Sequence, residues 1–323
     1  MTAPLQIAKR TSHVFHQPIS VLGFGGSLYA SFDERQVLQD FKDAIQAAFE
    51  AGINHFDTAQ SYGDGQGERI FGGCLSHFER ERYILASKML LKKGKDETVE
   101  GVKASLRNLA TNYLDLFYIH WPAGNTDPRP MMEGLEECRR QGLIRHIGVS
   151  NFSVEQLEVL REAGTVDVVQ LCYNLLWRRH EEDLIPYCAK HGIGIFSYSS
   201  LAQGILTGKY PKEYQPAEGD ARRNSVFFRP DVWPTISDAV AAMQRLADES
   251  GATLVELAMA WLLRQPAILS IIVGARSSTQ IRRNIQALFA SISDNVLDRL
   301  TDISDELKAT IPDTGNIFQY YPE

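Results

Sequence analysis

The chain has 323 residues, 44% of them hydrophobic and 23% charged, which is the balance of a soluble globular protein long enough to bury a large core. Its formal net charge of -7 excludes the basic footprint of a nucleic-acid binder and offers no attraction to anionic membranes. Met1 to Phe15 lack a continuous apolar core and no later run approaches a membrane-spanning length, so neither a leader nor an anchor is expected.

In chain order, residues of about 1–18 read as a small flap or hairpin. The run Ile19-Ser20-Val21-Leu22-Gly23-Phe24-Gly25-Gly26 reads as the first strand entering a glycine turn. Leu28 occupies the place of a third glycine, so no Gly-x-Gly-x-x-Gly dinucleotide fingerprint is present. A helix over about Glu34 to Ala51 puts Val37, Phe41, Ile45 and Ala48 on one face and stops at Gly52. Apolar strands follow at Ile53–Phe56, Tyr83–Ser87, Leu114–Ile119, Ile144–Val149, Val166–Leu171, Ile193–Tyr198 and Ile268–Val273, separated by helical patterns.

Length alone suggests two domains, yet eight strand–helix units in regular alternation close most naturally into one α/β domain, a (β/α)8 TIM barrel over residues 1–323. An open doubly wound sheet is the alternative topology. The last gap is long and holds a polar, Pro-rich and Arg-rich segment, about 209–234, expected as a functional loop. Helices are expected over about Thr235–Ser250 and Thr253–Leu263. A final helix, Ser293–Ala309, and an aromatic tail, Phe318-Gln319-Tyr320-Tyr321, occupy about 293–323. Cys74, Cys138, Cys172 and Cys188 are widely spaced, form no Cys-x-x-Cys, and read as reduced, mostly buried thiols of a cytoplasmic protein.

In a barrel the residues just past the strands face one another across one mouth. The second strand ends in Asp57, with Tyr62 in its loop beside the Gly63-to-Gly67 turn; the third ends in Lys88 and the fourth in His120. Singly, these can be a turn cap, a loop aromatic, a solvent-facing lysine and a core histidine. Together they support proton transfer by a phenol. Tyrosine titrates near ~10 and an adjacent ammonium lowers that value. Asp57 can hold Lys88, and His120 can orient a carbonyl oxygen. No His-Glu-x-x-His or other metal-ligand spacing and no Gly-x-Ser-x-Gly is present, so metal is not expected. Side chains do not supply hydride, so a redox cofactor is implied.

The motifs Phe56-Asp57-Thr58-Ala59 with Tyr62-Gly63, Ser87-Lys88, Asp115 through Pro122, and Ile147-Gly148-Val149-Ser150-Asn151-Phe152 resemble those of the aldo-keto reductases in order and spacing. The resemblance runs from the first strand to Asn284. It implies an NADPH/NADP+-dependent barrel that reduces a small-molecule aldehyde or ketone, with Asp57, Tyr62, Lys88 and His120 as the catalytic tetrad. It places Ser150, Asn151 and Gln170 on the nicotinamide carboxamide and the Tyr198 ring on the nicotinamide. Ser199, Leu201, Gln203 and Gly204 fall on the diphosphate, and Gly274, Arg276, Gln280 and Asn284 on the adenosine end, Arg276 facing a 2′-phosphate. Arg282 and Arg283 rank below Arg276, since they equally fit a solvated helix face.

Where relatives commonly carry Tyr-Ser-Pro-Leu, this chain has Tyr198-Ser199-Ser200-Leu201, and loss of the proline is expected to free the loop. Tyr29, Met89, Trp121 and the 209–234 loop are the candidates for lining the substrate pocket. A cofactor-binding regulatory subunit on the same fold, like relatives that associate with potassium channels, is the competing reading. An aldolase or isomerase barrel is disfavoured, because no separate carboxylate base has an obvious place near Lys88.

Overall fold

The computed structural model describes residues 5–26, 35–124, 126–320 and 322, with the backbone alone for 35–37. Its first two strands, β1 (Lys9–Arg10) and β2 (Ile19–Ser20), pair antiparallel. The remaining strands are β3 (Leu22–Gly25), β4 (His55–Asp57), β5 (Ile84–Met89), β6 (Leu114–Ile119), β7 (Ile144–Ser150), β8 (Val168–Cys172), β9 (Gly194–Tyr198) and β10 (Ile268–Gly274). All eight pair in parallel and close into a barrel in the order β10-β3-β4-β5-β6-β7-β8-β9. The open-sheet alternative is therefore excluded.

Parallel neighbours need crossovers, and helices such as Arg35–Glu50, Lys95–Asn108 and Leu254–Arg264 supply them. Phe41, Ala44, Ile45 and Ala48 of the first are buried against the barrel. Among the described residues no helix is long and apolar enough to cross a membrane. The four cysteines are buried and free.

The expected first strand divides in two. Ile19 and Ser20 turn back onto Lys9 and Arg10, and only Leu22–Gly25 enters the barrel. The hairpin so formed seals the barrel's amino-terminal end: Phe15 stacks on Phe196 with ring centres 5.9 Å apart and meets His146 edge-on. The 209–234 segment is also more structured than its polarity suggests. It contains short turns at Ala221–Asn224 and Val226–Phe228, buries Val226, Phe227 and Phe228, and gathers Tyr210, Tyr214, Phe228 and Trp233 into one aromatic cluster. The helix after it starts at Trp233, with Pro234 in its first turn where no amide hydrogen is needed.

Strand periodicity decides what faces the barrel axis. Ile84 and Ala86 on β5, Leu116 and Tyr118 on β6, Val168 on β8 and Phe196 on β9 form an apolar interior, whereas Leu85, Phe117 and Val169 pack outward against the helices. Two glycines make room for polar rings there. A Cβ on Gly23 would stand 2.5 Å from the His55 ring, and one on Gly148 would stand 2.4 Å from Tyr118.

Candidate functional site

Continuing each inward row by two residues toward the carboxyl end reaches, in turn, Asp57 after His55, Lys88 after Ala86, Gln170 after Val168 and Tyr198 after Phe196. The apolar interior thus gives way to a polar layer at the mouth.

Lys88 is completely buried. Its Nζ donates to Asp57 Oδ1 at 2.5 Å and to the Thr58 carbonyl at 2.8 Å. Burial pulls the Lys88 pKa below its ordinary value, and the Asp57 charge opposes that. With two ammonium hydrogens committed, the third is available toward Tyr62, whose ring centre lies 5.4 Å from Nζ. Tyr62 stands in the loop that Gly67 closes, its amide nitrogen donating a hydrogen bond to the Tyr62 carbonyl at 3.0 Å.

The His120 ring meets the Tyr62 ring edge-on, with centres 5.8 Å apart. Burial first, and the Lys88 charge second, hold the imidazole well below its ordinary pKa, so it is neutral. Ser61 Oγ lies 3.3 Å from its Nδ1. Asp57, Tyr62, Lys88 and His120 are thus brought together as expected, and Thr58 and Ser61 are partners that strand-end reasoning passed over.

The residues expected around a nicotinamide form a continuous cluster with this group. Asn151 adopts the left-handed φ of 67°, from which its Nδ2 donates to the His120 carbonyl at 3.2 Å and to Ser150 Oγ at 3.0 Å. Its Oδ1 accepts the Tyr198 hydroxyl at 2.5 Å. Gln170 pairs in register with Ser150, but its amide nitrogen donates to Asp57 Oδ2 at 2.9 Å.

The loop after β9 is held in strained backbone. Ser199, Ala202 and Gln203 have φ of 50°, 48° and 57°, and Gly204 has 89°. Left-handed non-glycine residues cost about 1–3 kcal/mol each and persist where surroundings impose them, commonly at ligand clamps. Leu201 is half-buried beside them. Gln203 Oε1 is buried without a hydrogen-bond partner, and a Cβ on Gly204 would stand 3.1 Å from Lys209 Nζ. A left-handed run from Ala202 to Gly204, a bare glycine and an adjacent ammonium fit a diphosphate. Lys209 was not singled out from sequence. Its signal is its place five residues after a glycine turn.

The expectation of a freed loop at Ser200 is corrected here. Ser200 is buried and its Oγ donates to the Ile272 carbonyl of β10 at 3.0 Å, tying the loop to the neighbouring strand.

Gly274, Arg276, Gln280 and Asn284 stand apart from the mouth cluster, on the rim beyond β10. Gly274 exposes its backbone, a Cβ there meeting only the Gly25 carbonyl at 3.8 Å. Arg276 is exposed, and its amide nitrogen donates to Gln280 Oε1 at 2.7 Å. Ser277 caps the helix Ser278–Ala287, whose positive amino end favours an anion. Asn284 is buried within that helix, and Arg282 is spent on Glu50 at 3.2 Å. Together the two rims and the mouth cluster fit the parts of a nicotinamide dinucleotide.

Of the candidates for a substrate pocket, Trp121 lies beside His120 at the mouth. Met89 does not: it is buried against Gly101 of the neighbouring helix, outside the barrel wall. Tyr29 lies outside the described residues. The carboxyl-terminal tail is an addition, with Phe318 parallel to the Tyr198 ring at 6.3 Å and edge-on to Trp121, and Tyr320 edge-on to Trp121 at 5.2 Å. The Ile317 carbonyl accepts from the Val226 amide, which ties this tail to the 209–234 segment.

Comparison with known proteins gives concordant matches. The model of the Aldo/keto reductase family matches residues 21–305. The aldo-keto reductase YhdN of Bacillus subtilis (strain 168) is 34% identical over 268 residues, covering 80% of each chain. The NADH-specific methylglyoxal reductase of Escherichia coli (strain K12) is 31% identical, covering 88% of this chain and 92% of its own. A probable voltage-gated potassium channel subunit beta of Arabidopsis thaliana is 29% identical, covering 88% and 93%. The structure of glycerol dehydrogenase AKR11B4 from Gluconobacter oxydans superposes with a TM-score of 0.83 at 27% identity, over 94% of this chain and 97% of its own. An aldo/keto reductase from Klebsiella pneumoniae in complex with NADP and acetate gives 0.73, also at 27%, over 96% and 99%.

Proposed function

The chain is an oxidoreductase of the aldo/keto reductase family, and on that premise we propose that it reduces an aldehyde or ketone to the alcohol with NADPH, Tyr62 donating the proton. The observation that carries this reading is the buried Lys88–Asp57 pair at 2.5 Å with the Tyr62 ring 5.4 Å from its ammonium.

When bound, the dinucleotide supplies a hydride to the carbonyl carbon. The oxygen then needs a proton. Tyr62 provides it, and the Lys88 ammonium favours the phenolate left behind. Asp57 keeps that ammonium charged in a fully buried place. In the tautomer in which Nδ1 of His120 accepts from Ser61, Nε2 carries the hydrogen that would orient the carbonyl oxygen between His120 and Tyr62. His120 is held neutral, so the phenol is the acid of the pair.

Ser150, Asn151, Gln170 and Tyr198 would hold the nicotinamide end, Ser199 to Gly204 the diphosphate, and Gly274, Arg276, Gln280 and Asn284 the adenosine end. The NADP-bound Klebsiella relative and the exposed Arg276 favour NADPH. The NADH-specific Escherichia coli relative makes that choice a matter for titration. The same reading treats the chain as one domain and, from its free buried thiols, places it in a reducing, cytoplasmic setting.

The test is NADPH oxidation followed spectroscopically against aldehydes, ketosteroids, quinones, methylglyoxal and sugars, in the parent and in Tyr62→Phe. Loss of 10²–10⁴-fold in the variant, with NADPH binding retained, is roughly what a general acid predicts. Reduction above about a tenth of the parent rate excludes Tyr62 as the acid. The plant relative's name supports the regulatory-subunit reading, and NADPH binding without turnover across the panel would favour it.

A further inference from the structure

Gln170 lies on β8 and Asp57 on β4, four places apart in a closed ring of eight strands, so their hydrogen bond crosses the barrel from one wall to the opposite one. Both side chains are buried, and 113 residues separate them in the chain. Asp57 therefore has each oxygen committed, Oδ1 to Lys88 on the adjacent strand and Oδ2 to Gln170 on the far one. A carboxylate held through a single oxygen is free to turn about its Cβ–Cγ bond. One held through both has its plane fixed, and with it the direction in which Oδ1 meets Nζ.

Lys88 magnifies the consequence. Its ammonium has three hydrogens, two directed to Asp57 and Thr58, so any rotation of the carboxylate redirects the third. We propose that Gln170 is a positioning residue for the Asp57–Lys88 pair, acting through Asp57 Oδ2 to aim the Lys88 ammonium at Tyr62. This rests on the reading of Lys88 and Tyr62 given above. It assigns Gln170 a task separate from holding the cofactor's carboxamide, and the two tasks have different signatures.

Besides Tyr62 and His120, which face the Lys88 ammonium, the titratable groups around the pair are His55 below Asp57 on β4, Tyr118 on β6, and Glu68 behind Lys88. These last three are buried, and Glu68 is held by Ser87 Oγ at 2.6 Å and Asn108 Nδ2 at 2.8 Å. The amide of Gln170 is the neutral donor to Oδ2 among them. A glutamate in its place donates to Oδ2 only while protonated. Once ionised it sets two carboxylates against each other.

The experiment uses Gln170→Leu and Gln170→Glu, with kcat measured against pH and NADPH affinity by fluorescence titration. Gln170→Leu is expected to lower kcat by roughly tenfold or more, the loss of a hydrogen bond to a charged group, and to displace its pH profile. Gln170→Glu is expected to recover activity as pH falls and to lose it as pH rises. Weakened NADPH binding in Gln170→Leu, with parent-like kcat and pH profile, would overturn the proposal and leave Gln170 a cofactor ligand only. A second measurement stands apart from catalysis: urea unfolding of the Gln170→Leu, Asp57→Asn and double variants. The shift in unfolding midpoint from Gln170→Leu is expected to shrink markedly once Asp57 is already asparagine, and simple additivity would overturn the contact itself. A parent inactive on every carbonyl compound would sink the functional reading while this coupling still decided whether Gln170 holds Asp57.

Discussion

Breaking the Lys88–Asp57 pair should cost far more than removing it. Lys88→Met leaves Asp57 buried with only Gln170 donating to it. Asp57→Asn leaves an ammonium with no exposure and no counter-charge in contact, facing only neutral carbonyl acceptors. Removing one member of a buried ion pair typically costs about 3–5 kcal/mol. For Asp57→Asn that range has a natural ceiling, since Lys88 can shed its proton. From an ordinary pKa near ~10.5, neutralisation at about pH 7 costs about 1.4 kcal/mol per unit, close to 5 kcal/mol. The double variant Asp57→Asn/Lys88→Met carries neither charge and should lie within about 1 kcal/mol of the parent, since replacing both members of a buried pair is often neutral or stabilising. Urea unfolding of the four proteins measures this directly. Single variants costing less than about 1 kcal/mol each, or a double variant equal to their sum, would refute the buried pair described above. The same samples test chemistry, because all three variants should lack efficient carbonyl reduction however stable they are. An active double variant would remove Lys88 from the mechanism.

Arg276→Ala should weaken NADPH binding roughly ten- to hundredfold and leave NADH binding nearly unchanged, the expected worth of a charge-assisted contact to a 2′-phosphate. Equal affinities of the parent for the two cofactors in fluorescence titration would defeat that assignment. The histidines predict the acid limb of stability. His55 is buried and His180 half-buried, and each is held down to about 4, mainly by desolvation. Their neutral forms are favoured in the fold, so the unfolded chain binds more protons below the ordinary value near ~6.5. Their contribution is complete above that pH and declines as pH falls toward about 4, by about 1.4 kcal/mol per unit for each histidine. Urea midpoints across this range should fall less steeply in His55→Leu, and an unchanged slope would show that His55 is not the group responsible.

Much of this molecule was legible in one dimension, because strands declare themselves through short apolar runs and the inward-facing period of two. All eight barrel strands, the helix over Arg35–Glu50 and the gathering of Asp57, Lys88 and His120 follow from local pattern and from where each run ends. Residues whose partners are distant in the chain were not legible in this way. Ile19 and Ser20 look like the start of a barrel strand until Lys9 and Arg10 claim them. Ser200 reads as a lost proline, and only the neighbouring β10 shows what its hydroxyl holds. Met89 follows Lys88 and, by the same period, must face the opposite side of the wall. The aromatic tail gains a place only when Trp121 and Tyr198 are adjacent in space. Composition and periodicity determined which residues lie on which face of each element, since those depend on backbone geometry over a few residues. Closure of the barrel decided which faces meet, and it alone brought Gln170 across to Asp57.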